Sequence, residues 1–404
     1  KRGGRMHVPG NDRRRPGTAI VATTMTLILA FAALGWRPEP TVAANAHDQT
    51  PAVSATFAPI APPALSAKAA YAIDATAKTP LFAVSSDERL PPASLTKIAT
   101  ALVVLDQAKL DERVKIDPAD LVPPDQSQVG LVAGDELSVG DLLIGLLVPS
   151  GNDAGLALAR YVGHKLDPAA ATADPAVAAF VAAMNEKAAA LGATNTHFVN
   201  PSGIDAPDHY SSARDLALLT AAGLANPTFR ADIGVAHAVL ASAARPDGYP
   251  VATTDDLLVA GVAAGGKTGT TGDAGGCLVS VLKIGSNDIV SVVLGSPLDP
   301  SDNGALHSSA RFADMRALIA ALHADFQWVD PTTPDAFPGL AEELSVWGAY
   351  LPETNDVAVP VARAAQARYR LVLGPPSAAN APVGTVLFFV GADLLSERPV
   401  LQAT

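Results

Sequence analysis

The chain has 404 residues, 49% hydrophobic and 17% charged, so it is long enough for about two or three domains and too apolar for a disordered chain. A formal net charge of −12, without a cluster of basic and aromatic residues, argues against a nucleic-acid partner. The single cysteine, Cys277, excludes an internal disulfide and is expected in the core.

The N-terminal residues have the layout of a secretory signal. A basic segment precedes an uncharged apolar run over residues 17–36, and the small residues Ala44 and Ala46 fit a signal-peptidase site. A run of this length also suffices to span a bilayer, so a retained membrane anchor is the alternative for residues 1–46. Both interpretations predict export, with the bulk of the chain outside the cytoplasmic membrane.

The next segments predict a linker followed by a hairpin and helices. Residues 47–66 are rich in proline and alanine without a period, which predicts an extended linker with no packed structure. AYAID and PLFAV then predict a hairpin, and SLTKIATALVVLDQA predicts a buried helix. Ser138 with Asp141 forms a capping box for a second helix, and NDAGLALARYV begins a third.

The chain returns to strands after Gly266. CLVSVLKI and IVSVVLGS predict a second hairpin, so strands come from both ends of one domain over residues 67–326, with helices between them. This arrangement predicts an α+β fold in which helices flank an antiparallel sheet. Residues 327–404 contain short strand patterns at regular spacing, which predict a small C-terminal all-β domain.

Three short motifs occur in one order: Ser94-Leu95-Thr96-Lys97, Ser150-Gly151-Asn152 and Lys267-Thr268-Gly269. On a helix, residues three apart share a face, so the first serine and lysine can form a hydrogen bond. A serine becomes nucleophilic beside a base, and a lysine is a base only where burial or a second cation lowers its pKa. A second S-x-x-K, Ser280 to Lys283, lies on a predicted strand, where the two side chains point to opposite faces.

These motifs and their flanks resemble the low-molecular-mass penicillin-binding proteins, the serine-type D-alanyl-D-alanine carboxypeptidases. The matching segments are PPASLTKIATALVVLD, PSGNDAGLALARYVG, NTHFVNPSGIDAPDHYSSARDLALL and GGKTGTTGDAGGCLVSV, which cover residues 67–325 in the family's order. The resemblance implies the penicillin-binding, β-lactamase-like transpeptidase fold with an all-helical subdomain. It also implies a hydrolase of peptidoglycan biosynthesis and cell shape, with peptidoglycan stem peptides as substrates and β-lactam antibiotics as acylating inhibitors.

The resemblance further implies four catalytic residues. Ser94 would be the nucleophile that accepts the acyl group, and Lys97 the base that takes its proton. Ser150 would help to relay a proton to the leaving amine, and Asn152 would orient the substrate amide and Lys97.

It also implies a substrate-binding strand edge. Lys267 and Thr268 would bind the terminal carboxylate of the peptide, and Gly269 would leave room for its backbone. The backbone N–H groups of Ser94 and Thr270 would form the oxyanion hole.

Several features depart from the family pattern or favour other functions. A serine β-lactamase would need an E-x-x-L-N segment to activate water, and none lies between the second and third motifs. The eight histidines lack metal-ligand spacing, so no metal or other cofactor is expected; His197 and His209 are interpreted as structural. A non-catalytic cell-wall-binding protein on the same fold remains a further alternative. Asp255 stands where the family more often has asparagine.

Overall fold

The computed structural model describes residues 55–301, 304–333, 335–352, 355–375 and 378–403. The predicted signal or anchor at residues 1–46, with its apolar run over 17–36, lies outside these ranges. Within them, no helix is both long and apolar enough to cross a membrane. The described residues all belong to one compact unit.

Runs of strands and runs of helices follow one another along the chain. The strands are β1 (Ala55–Thr56), β2 (Ala69–Asp74), β3 (Thr79–Val84), β4 (Arg113–Lys115), β5 (Glu136–Ser138), β6 (His237–Leu240), β7 (Tyr249–Ala252), β8 (Gly265–Thr271), β9 (Gly275–Ile284), β10 (Asn287–Ser296), β11 (Phe326–Val329), β12 (Ala349–Tyr350), β13 (Val357–Pro360), β14 (Ala367–Leu373), β15 (Pro382–Val390) and β16 (Asp393–Gln402). The α-helices are α1 (Lys97–Gln107), α2 (Val139–Leu147), α3 (Asn152–Leu166), α4 (Ala173–Ala190), α5 (Ala213–Leu224), α6 (Pro227–Asp232), α7 (Asp256–Val259), α8 (Ala310–Asp325) and α9 (Leu340–Val346). Short 3-10 helices span Ala93–Thr96, Pro118–Asp120 and Val361–Gln366.

A five-stranded antiparallel sheet in the order β3-β2-β10-β9-β8 has a buried hydrophobic cluster on each of its faces. Side chains alternate between its two faces, as the period of a strand requires. On β10, Val290 and Val292 pack with α1 and α5, whereas Ile289 and Val293 face α8 and the C-terminal strands. Both predicted hairpins and the predicted α+β class are therefore confirmed.

Helices α1 to α4 form the helical subdomain on one side of this sheet. Apolar residues of all four helices join one buried cluster, which also receives α5 and the inner face of the sheet. Ser138 caps α2 by accepting a hydrogen bond from the Asp141 N–H, as the capping-box pattern predicts. Helix α1 begins directly after the 3-10 helix Ala93–Thr96, so the first motif lies where the two helices join.

The predicted linker over residues 47–66 is wrong in its described part. Strand β1 pairs in parallel with β16, and Phe57 is only 2% exposed. Ile60 forms a bridge to Phe82 of the central sheet, and the Phe57 ring lies edge-on to Phe326. Composition alone misses this segment because its few large apolar residues find their partners far along the chain. Residues 47–54 lie outside the described ranges.

The C-terminal strands form a sheet in the order β1-β16-β15-β14, and β12 pairs with the C-terminal end of β16. The sheet is accompanied by α9 and by the separate pair β11 and β13, so the last part of the chain is rich in strands but not all-β. Its inner face shares one buried cluster with α8 and with the outer face of the central sheet. Polar contacts join the same elements: Asn287 Nδ2 donates to Asp74 Oδ2 and to the Asp356 carbonyl.

Candidate active site

The first motif brings a serine and a lysine together. Ser94 Oγ and Lys97 Nζ are 2.8 Å apart, because the 3-10 helix and the start of α1 place residues three apart on one face. The second S-x-x-K forms no such pair: on β9, Ser280 is buried and Lys283 is exposed. Local backbone geometry thus separates two identical sequence patterns, as expected.

Lys97 is fully buried and has three oxygen neighbours. Besides Ser94, its Nζ lies 2.7 Å from Asn152 Oδ1 and 2.7 Å from the Ser202 carbonyl oxygen. Asn152 Nδ2 donates to Gln126 Oε1, which orients the amide so that its oxygen faces the lysine. The two carbonyl oxygens can only accept, so a neutral amine satisfies both and keeps its lone pair for the Ser94 hydroxyl.

Electrostatics favour that neutral form of Lys97. Burial, followed by the positive charge of Lys267, lowers the pKa of the Lys97 ammonium well below its ordinary value, and Asp153 opposes the shift. The Asp153 carboxylate accepts hydrogen bonds from the backbone N–H groups of Val129, Gly130 and Leu131. The arrangement is that of a lysine able to act as a base beside a serine.

The second motif contacts the third. Lys267 Nζ donates to Ser150 Oγ at 2.8 Å and to the Thr268 carbonyl at 2.9 Å. Burial, followed by the charge of Arg311, lowers the pKa of Lys267 to about 7. Ser150 therefore contacts Lys267, whereas Asn152, two residues further on, contacts Lys97. One short segment connects the two lysines.

Strand β8 runs close to the turn that carries Ser94. A Cβ placed on Gly269 would lie 3.0 Å from the Ser94 nitrogen and 3.1 Å from the Pro92 oxygen, so a side chain here would require these neighbours to shift. Thr270 follows directly, and its backbone lies at the same edge. Thr268 is 5% exposed, and its hydroxyl contacts the hydroxyl of Thr254.

Arg311 is a member of the site that the motifs do not include. It lies on α8, is only 4% exposed, and donates through Nη1 to the Gly269 carbonyl and to Thr270 Oγ1. Its Nε has no hydrogen-bond partner among the described residues. A basic residue at the start of a helix carries no special signal in the sequence, and only the fold brings it beside β8.

Asp255 is the N-cap of α7. Its Oδ1 accepts the N–H groups of Leu257 and Leu258, which an asparagine oxygen would also do. Burial raises the pKa of the carboxyl, and Oδ2 has no partner within the described part of the chain.

Cys277 is fully buried on β9, and burial raises the pKa of its thiol to about 11, which agrees with the predicted core role.

A serine is hydrogen-bonded to a buried lysine, and a serine, an asparagine and a second lysine on a strand lie beside the pair. This arrangement defines the class of penicillin-binding serine peptidases. The chain belongs to the D-alanyl-D-alanine carboxypeptidase family, whose pattern it matches over residues 55–297. The predicted family, fold and enzyme class are thus confirmed: the chain is a serine-type D-alanyl-D-alanine carboxypeptidase by family.

Named relatives agree with this family. The chain is 31% identical over 363 residues to D-alanyl-D-alanine carboxypeptidase DacC of Escherichia coli strain K12, covering 84% of each chain. It is 33% identical over 299 residues to a D-alanyl-D-alanine carboxypeptidase of Streptomyces sp. strain K15, covering 72% of this chain and 94% of that one. The crystal structure of the Streptomyces K15 DD-transpeptidase superimposes with a TM-score of 0.58 at 32% identity, over 65% of this chain and 98% of that chain.

Proposed function

We propose that Ser94 is the nucleophile of a carboxypeptidase that removes the terminal D-alanine from peptidoglycan stem peptides, with Lys97 as its base. The observation that carries the proposal is the 2.8 Å contact between Ser94 Oγ and the buried Lys97 Nζ, whose other neighbours are both carbonyl oxygens. Because those oxygens can only accept, the Ser94 hydroxyl is the one neighbour that can donate to Lys97.

In the first half of the reaction, Lys97 takes the hydroxyl proton as Ser94 Oγ attacks the carbonyl carbon of the scissile peptide bond. The backbone N–H groups of Ser94 and Thr270 donate hydrogen bonds to the carbonyl oxygen and stabilise the negative charge that develops on it. When the carbon–nitrogen bond breaks, the leaving D-alanine takes up the proton that Lys97 gained, which Ser150 helps to relay, so Lys97 is neutral again. In the second half, water attacks the ester, and Lys97 accepts a proton from the water and returns one to Ser94.

Lys267 and Arg311 supply positive charge for the terminal carboxylate of the peptide. Lys267 extends from β8 and Arg311 bonds to β8 from α8, so the two cations flank the same strand edge. Thr268 adds a hydroxyl, and Gly269 leaves space for the peptide backbone. Penicillins carry a carboxylate beside a reactive amide, so they enter the same site and acylate Ser94. The enzyme acts outside the cytoplasmic membrane, where stem peptides are exposed.

The experiment that tests this function compares the wild-type protein with Ser94→Ala and with the matched control Ser280→Ala. Intact-mass measurement after incubation with penicillin should show one adduct on wild type and Ser280→Ala and none on Ser94→Ala. Release of D-alanine from a pentapeptide that ends in D-Ala-D-Ala should follow the same pattern. An adduct that survives in Ser94→Ala would refute the nucleophile, and rapid penicillin turnover without D-alanine release would favour a β-lactamase.

The pH dependence of kcat/KM should follow Lys267, because kcat/KM reports groups of the free enzyme. At a pH below its pKa of about 7, Lys267 is protonated and attracts the peptide carboxylate. As the pH rises through about 7, that charge is lost and kcat/KM falls. Arg311 lowers this pKa, so Arg311→Met should move the falling limb to higher pH. The same variant should raise KM about 10- to 100-fold, the range for a lost charged hydrogen bond.

Peptide hydrolysis measured against pH in both proteins checks these expectations, with the exposed Lys283 changed to Met as the control for loss of a cation. A falling limb that stays in place in Arg311→Met would contradict the coupling between Arg311 and Lys267.

A further inference from the structure

The residue before the proposed nucleophile has a strained backbone. Ala93 is fully buried and adopts a φ of 49°, the left-handed region that a Cβ disfavours. Two glycines lie close against it: a Cβ on Gly203 would overlap the Ala93 carbonyl, and one on Gly269 would lie 3.0 Å from the Ala93 Cβ. Such a conformation persists only where neighbouring groups hold it.

A directed chain of hydrogen bonds ends on the Ala93 carbonyl. The Val199 N–H donates to His209 Nδ1 at 3.0 Å, so Nδ1 carries no proton and the neutral ring has its proton on Nε2. His209 Nε2 lies 2.8 Å from Thr96 Oγ1 and therefore donates to it. Thr96 Oγ1 then donates to the Ala93 oxygen at 2.9 Å.

The environment keeps His209 in the neutral form that this chain requires. The side chain is 5% exposed and packs against the Phe198 ring at 5.8 Å. Burial, then the neighbouring His197, lowers the pKa of His209 to about 4, and Asp205 opposes the shift. At neutral pH the ring thus accepts from Val199 and donates to Thr96 at once.

We propose that Thr96 and His209 are positioning residues, which hold Ala93 in its left-handed conformation and thereby aim the Ser94 hydroxyl at Lys97. Thr96 is one of the two unspecified positions of the S-x-x-K motif, and His209 lies 113 residues away in sequence. Neither touches the reacting atoms; both act through the Ala93 carbonyl. The proposal rests on Ser94 being the nucleophile.

The test compares Thr96→Val with Thr96→Ser in the full chain. Valine keeps the shape of threonine without the hydroxyl, whereas serine keeps the hydroxyl. The readout is the second-order rate constant for acylation by a fluorescent penicillin, normalised to the number of sites that finally become labelled. Thr96→Val should acylate about 10- to 100-fold more slowly, the effect of a misplacement of about 1 Å, and Thr96→Ser should stay within about 3-fold of wild type.

Two further variants separate positioning from a general loss of stability. Thr220 is a buried threonine on α5 whose hydroxyl donates to the Leu216 carbonyl at 2.7 Å, so Thr220→Val removes a comparable hydrogen bond away from Ser94 and should acylate normally. His209→Phe should slow acylation as Thr96→Val does, and the double variant should be no slower than the slower of the two single variants.

The proposal is overturned if Thr96→Val acylates at the wild-type rate, if Thr96→Ser is as slow as Thr96→Val, or if the two single effects simply add. These outcomes leave the nucleophile untouched, because wild type would still form its Ser94 adduct. A failure of the proposed function would instead appear as an adduct on Ser94→Ala.

Discussion

Replacing Lys97 by methionine should lower both penicillin acylation and D-alanine release by at least about 10³-fold. Methionine fills a similar volume but has no lone pair that can accept the Ser94 proton. The change also removes the donor of two buried carbonyl oxygens, those of Asn152 and Ser202, so we expect some loss of stability in addition to the loss of rate. Stopped-flow acylation and urea unfolding of the same preparation measure the two effects separately.

Lys283→Met is the matched control, since Lys283 belongs to the other S-x-x-K and is exposed on β9. We expect it to retain wild-type rates. Acylation by Lys97→Met at a rate close to wild type would show that another group takes the serine proton, and the role proposed for Lys97 would then fail.

The second large effect concerns the C-terminal strands. Phe388 on β15 is fully buried, its ring lies 4.7 Å from that of Phe337, and it belongs to the cluster that includes the outer face of the central sheet. Phe388→Ala should therefore lower the free energy of unfolding by about 3–5 kcal/mol, the usual range for a buried phenylalanine. Because the two parts share one core, the active site should unfold in the same transition as the C-terminal strands.

Tryptophan fluorescence and penicillin labelling, followed along one urea gradient, test this expectation. Trp328 and Trp347 both report on the C-terminal part, whereas labelling reports on Ser94. Val372→Ala is the control, because Val372 is 51% exposed on β14 and its loss should change stability by less than about 0.5 kcal/mol. If labelling persisted to the wild-type urea concentration while the fluorescence of Phe388→Ala changed early, the two parts would be independent.

Local patterns in the sequence were sufficient for much of the fold. Alternation predicted the hairpins β2–β3 and β9–β10, and capping residues predicted the start of α2, because these signals arise within a few residues. The pairing of β1 with β16 was not predictable in this way. It joins residues more than 300 positions apart, and no local pattern in a Pro/Ala-rich segment specifies such a partner.

The same distinction holds for the active site. The first motif could be interpreted from the spacing of Ser94 and Lys97, since one helical turn brings them together. Arg311, the Ser202 carbonyl and the contact of His209 with Thr96 depend on segments that meet only in the folded chain. His209 was predicted to be structural because an isolated histidine gives no indication of its partner. Its partner is the Thr96 hydroxyl, which donates a hydrogen bond to the carbonyl of Ala93, the residue before Ser94.

The charge of Lys97 at neutral pH is the most direct test of the central claim. Carbon-13 chemical shifts of the lysine Cε atoms distinguish an amine from an ammonium, and the Lys97 signal is identified as the one missing from Lys97→Met. We predict a neutral amine at neutral pH, with protonation only under more acidic conditions. A Lys97 signal that stays in the ammonium range through neutral pH would contradict the proposal that this lysine activates Ser94.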